Sequence, residues 1–89
     1  MSIGCDACTS IISGVINNLG SDLTCDEVGE EFVAAVEVAG GGPEDPVADA
    51  VAIGGAAAIS SLCSEYGWSW IKSNVDQATQ QLCQKLDLC

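Results

Sequence analysis

Six cysteines carry most of the chemistry available to this 89-residue chain. They fall as a close pair near the start (Cys5 and Cys8), two in the interior (Cys25 and Cys63) and a pair at the end (Cys83 and Cys89). Thiols so placed can ligate a metal, exchange electrons or cross-link. A zinc site drawn from both end pairs needs four convergent thiolates, and the step from Cys83 to Cys89 is wider than the intervals of ordinary zinc motifs. A redox-active Cys-x-x-Cys pair sits next to groups that favour the thiolate, whereas Asp6 lies inside this one and disfavours it. Cross-linking is what the even count predicts. A domain this small buries only about 60% of the surface its unfolded chain exposes, so covalent staples supply what the core cannot. Disulfides in turn require an oxidising location, and no metal or cofactor is expected.

Where the cysteines sit relative to the helices narrows their pairing. Cys5 with Cys89, Cys8 with Cys83 and Cys25 with Cys63 would make a nested set centred on the segment GGGPEDP at residues 40–46. Cys25 stands at the start of one expected helix and Cys63 at the end of the next, so an antiparallel hairpin brings them together. The outer pairs would then lay the last helix against the first. Exchanging the outer partners, Cys5 with Cys83 and Cys8 with Cys89, fits nearly as well.

Four helical segments must position these residues. Cys8, Ile11, Ile12, Val15, Ile16 and Leu19 recur at steps of three and four, and Gly20 is a natural stop. Thr24-Cys25-Asp26-Glu27 fits a capping box, with Thr24 as N-cap and Glu27 closing it, and with Leu23 and Val28 placed for a hydrophobic staple. Cys25, Val28, Phe32, Val36 and Ala39 line one face of the helix that follows, which Gly40 to Gly42 end. Asp45 as N-cap and Pro46 as first residue start a third helix, running to about Cys63. That segment is apolar nearly all round, with Asp49 its one charge, and is too short for a bilayer span of about 20 apolar residues. Ala50, Gly54 and Ala58 form a ridge of small residues suited to close packing within the molecule or to self-association. A fourth helix from about Ser69 carries Ile71, Val75, Ala78, Leu82 and Leu86. The expected architecture is a single all-α domain over residues 1–89, a small four-helix bundle.

Charge excludes several functions. Thirteen acidic residues face two lysines, Lys72 and Lys85, with no Arg and no His. Two lysines cannot make a basic patch, so no nucleic-acid partner is expected. With 48% hydrophobic residues the chain should fold despite a net charge of −11. Such a surface suits very high salt, where the Debye length falls to about 3 Å and repulsion between carboxylates is screened. Without His a Ser or Cys nucleophile lacks its usual base, and Glu30 and Glu31 lie on a helix surface, so the chain is not expected to be an enzyme. The glycines of residues 40–42 follow no strand and precede no Lys, unlike a phosphate-binding loop. The segment Met1–Gly20 has no positively charged start and no unbroken apolar run, which reads as mature protein rather than signal peptide.

Short stretches of the chain resemble two protein families. CDACTSIISGVINNL and LCQKLDLC resemble the first and last helices of the saposin-like proteins, whose disulfide plan is the nested one. That implies a folded-leaf helical bundle serving as a lipid-binding or protein-interaction module without toxicity. GCDAC, the Gly/Ala-rich middle, CSEYG and CQKLDLC resemble the cysteine-rich microhalocins, small secreted peptide antibiotics of salt-loving archaea. This second resemblance implies an extracellular protein acting on the membrane or envelope of competing cells. The membrane-contact candidates are then Trp68, Trp70 and Tyr66, with Ile53 and Ile59 of the third helix, because such rings favour the membrane–water interface.

Overall fold

The computed structural model describes residues 3–39 and 46–89. These form five helices: α1 (Ile3–Asn18), α2 (Cys25–Ala39), α3 (Pro46–Tyr66), α4 (Trp68–Ser73) and α5 (Val75–Lys85), with no strand among the described residues. The protein is all-α, a small bundle. The expected glycine stop after α2, the Asp45 cap and the hinge of the hairpin lie outside the described residues, whereas Pro46 is indeed the first helical residue of α3.

The capping box sets where α2 begins. Glu27 N–H donates to Thr24 Oγ1 at 3.2 Å, and Thr24 N–H donates to Glu27 Oε1 at 2.9 Å, so two otherwise unpaired amide donors are satisfied reciprocally. From there Val28, Phe32 and Val36 are buried along one face. α2 and α3 pack antiparallel to each other, and α1 lies across α5 and α2. The core joins Ile12 and Ile16 of α1, Phe32 of α2, Val51, Ile59 and Leu62 of α3, Ile71 of α4 and Leu82 of α5, all essentially inaccessible to solvent.

Two glycines of α3 are there for close approach. A Cβ on Gly55 would stand 2.6 Å from the Phe32 ring, and one on Gly54 would stand 2.5 Å from Leu86. The small-residue ridge is therefore used inside the molecule at Gly54, where α3 meets the end of α5, while Ala50 is exposed.

The expected fourth helix is two helices. Asn74 has φ −129° and ψ 51°, outside the helical region, and its side-chain amide donates to Trp70 O at 2.9 Å while its backbone N–H donates to the same oxygen at 2.9 Å. An Asn side chain that bonds the backbone locally offers the chain an alternative to the next helical turn. α3 and α4 are joined through Gly67 alone, at φ 95°, a conformation that side chains with a Cβ rarely adopt.

Lys72 and Trp68 fasten α4 to the end of α1. Lys72 Nζ donates to Leu19 O at 2.6 Å and Ile16 O at 3.0 Å, and the Trp68 indole N–H donates to Gly20 O at 2.7 Å. α1 has no basic residue in its own last turn, so a cation from elsewhere in the chain satisfies its terminal carbonyls and opposes the negative end of its dipole. Replacing Lys72 by Met, which keeps the stem and removes the ammonium, is expected to cost about 1–2 kcal/mol. Thermal unfolding followed by circular dichroism checks this, and a change within error would show the carbonyls to be equally well served by water.

Candidate functional site

Every cysteine is oxidised. Cys5 is joined to Cys89, Cys8 to Cys83 and Cys25 to Cys63, with Cα–Cα distances of 4.6, 6.0 and 5.7 Å. No thiol is free, so neither metal ligation nor thiol redox chemistry is available to the Cys5–Cys8 pair in this state. A left-handed residue at the end of α5 makes the outermost link possible. Asp87 has φ 58°, and Leu88 N–H donates to Cys83 O at 3.0 Å while Asp87 N–H donates to Gln84 O at 3.1 Å. This Schellman motif turns the chain back so that Cys89 reaches the first turn of α1. Three disulfides with no free thiol fit an oxidising setting outside the cytosol. No described helix is long and apolar enough to cross a membrane.

The five candidate membrane contacts do not form one surface. Tyr66 and Ile53 are exposed, at 49% and 64%, and Trp70 is half-buried. Contrary to expectation, Ile59 and Trp68 do not face solvent: Ile59 is wholly buried, and Trp68 is 6% exposed with its indole N–H held by Gly20. Both are core residues because α3 and α4 turn those faces inward. Tyr66 and Trp70 instead stack on each other, ring centroids 4.6 Å apart and planes 24° off parallel, across the corner at Gly67. Every described carboxylate is at least partly exposed, so the described acidic residues form the solvated surface expected of them.

A concave feature that composition and spacing did not announce runs between α1 and α2. It is a groove of about 610 Å³ whose apolar wall includes Ile11, Val15, Leu19, Ala35 and Val38, with Glu31 among its polar residues. Val38 is 83% exposed. In the sequence Val38 sits on the solvent side of an amphipathic helix, and only its neighbours across the groove distinguish it from a stray surface valine. A second, polar cleft lies between α1 and α5. No group of three or more His, Cys, Asp or Glu suited to a metal occurs among the described residues.

Fold and surfaces together define a small all-α bundle locked by three intramolecular disulfides. No protein family, no curated protein and no solved structure matches the chain.

Proposed function

We propose that the protein is a secreted antimicrobial peptide that acts on the membrane or envelope of competing cells in high salt. The observation that carries this reading is the stacked Tyr66–Trp70 pair, held partly in solvent at a glycine corner of a cross-linked bundle. Amphipathic rings so placed favour the membrane–water interface. The resemblance of GCDAC, CSEYG and CQKLDLC to the microhalocins supports it further. Net charge opposes approach to anionic lipid in dilute buffer, and molar salt shortens the range of that repulsion to a few ångströms, so activity should appear only there.

A second reading is a lipid-binding or protein-interaction module without toxicity, and its lipid-binding form is favoured by the α1–α2 groove, whose apolar wall suits a hydrocarbon chain. One experiment separates the two. Dye leakage from anionic vesicles and clearing of lawns of related cells are measured in molar and in dilute salt, for the native chain and for a Tyr66→Ser/Trp70→Ser variant of native helicity. Leakage is expected in molar salt only, with about tenfold weaker vesicle binding by the variant. Absence of both leakage and clearing removes the antimicrobial reading, and lipid co-purifying with an inactive protein installs the second.

A further inference from the structure

The polar cleft between α1 and α5, about 310 Å³, is lined by Thr9, Ser10, Ser13, Asp76, Thr79 and Gln80. Thr79 is 3% exposed, and its Oγ1 is a buried side-chain atom with no hydrogen-bond partner. Buried hydroxyls are almost always paired, and an unpaired one calls for a bound water or ion. The surrounding groups decide which ligand chemistry fits. Thr9 Oγ1 donates its proton back to Cys5 O at 3.0 Å, or to Asp6 O at 3.1 Å, and Ser13 Oγ donates to Ser10 O at 3.3 Å. Hydroxyls whose protons are turned to the backbone keep their lone pairs for something else. Asp76 adds a carboxylate, Gln80 an amide oxygen, and neither Lys72 nor Lys85 lines the cleft.

A site of oxygen acceptors attracts a hard cation and repels an anion. With a single carboxylate among neutral oxygens it lacks the charge a divalent ion demands. We propose that this cleft binds one sodium or potassium ion, with Asp76 and the hydroxyls of Thr79, Thr9 and Ser13 as ligands. The Cys8–Cys83 disulfide joins residues adjacent to Thr9 and one turn beyond Thr79, so the two ligand-bearing helices are fixed before the ion arrives. The proposal is independent of the membrane reading. A site of such low charge is weak and fills when alkali cations are abundant, the condition the acidic surface suits.

Urea unfolding of the oxidised protein tests this at a constant total chloride concentration, with tetramethylammonium exchanged for sodium in one series and for potassium in another. Ionic strength stays fixed, and tetramethylammonium cannot be coordinated by oxygen ligands. The ratio of folded to unfolded protein is expected to rise in proportion to the free cation above its dissociation constant, reaching about tenfold when the cation exceeds that constant about tenfold. The series with the larger rise identifies the preferred ion. Thr79→Val and Asp76→Asn should abolish the rise, and Glu30→Gln, which removes a carboxylate elsewhere on the surface, should retain it. In tetramethylammonium alone Thr79→Val should be at least as stable as the native chain, because it removes an unpartnered hydroxyl without changing shape. No difference between alkali and tetramethylammonium salts, or an undiminished rise in Thr79→Val, would mean that water alone serves Thr79 and would overturn the proposal.

Discussion

Reduction of all three disulfides is expected to unfold this chain at room temperature. The links close sequence separations of 84, 75 and 38 residues. In the chain-entropy model the longest is worth about 4–5 kcal/mol and the hairpin link about 4 kcal/mol when each acts alone. Nesting lowers the worth of the middle link, because the chain ends are already joined when Cys8 meets Cys83. Even so, the three together come to on the order of 10 kcal/mol, comparable with the whole stability of an ordinary domain at about 5–15 kcal/mol. Far-UV circular dichroism in matched salt, before and after reduction with alkylation, reads the result directly. Loss of most of the helical signal and of the cooperative transition is expected. A reduced chain that stayed helical and melted cooperatively would show that the core suffices without its links.

Phe32→Ala, with the disulfides intact, is expected to be the most damaging single core truncation. Phe32 is fully buried, and its ring lies against Gly55 of α3. Removing a buried ring costs about 3–5 kcal/mol in lost transfer energy and residual cavity. For a domain of this length each kcal/mol moves the melting temperature by about 4–8 °C, so a fall of about 12–40 °C follows. The partner glycine supplies a control. Gly55→Ala alone should destabilise, because a methyl 2.6 Å from the ring forces overpacking of about 1–3 kcal/mol against a gain in helix propensity of about 1 kcal/mol. In a Phe32→Leu background the same Gly55→Ala change should become neutral or stabilising. If Phe32→Ala lowers the melting temperature by only a few degrees, the hairpin is held by its disulfide rather than by its core.

How much of this was legible in the sequence depended on the range of the interaction concerned. The start of α2 was readable because a capping box is complete within four consecutive residues, Thr24 to Glu27, and the structure forms both of its hydrogen bonds. The break at Asn74 was not. Ile71, Val75, Ala78 and Leu82 keep helical spacing across it, and periodicity cannot register a single residue that leaves the helical region while its neighbours stay in phase. The third helix is apolar nearly all round, so composition could not tell Ile59, which faces the core, from Ile53, which faces solvent. Trp68 and Trp70 differ for a related reason: they lie two residues apart on α4, which places them on different sides, and only the position of Gly20 decides which ring is inside. The grip of Lys72 on the end of α1 spans more than fifty residues and leaves no local pattern. The one hint was indirect, a helix without a cation of its own at its negative end.

The three links also settle how the molecule would respond to proteolysis. A single cut of the backbone anywhere between Cys25 and Cys63 releases no fragment, since each piece keeps three half-cystines bonded to the other. The clipped protein would weigh one water more and remain a single particle, its two new ends free to separate from each other while the opposite end stays sealed. Cleavage in that stretch would therefore turn one chain into two that stay covalently joined.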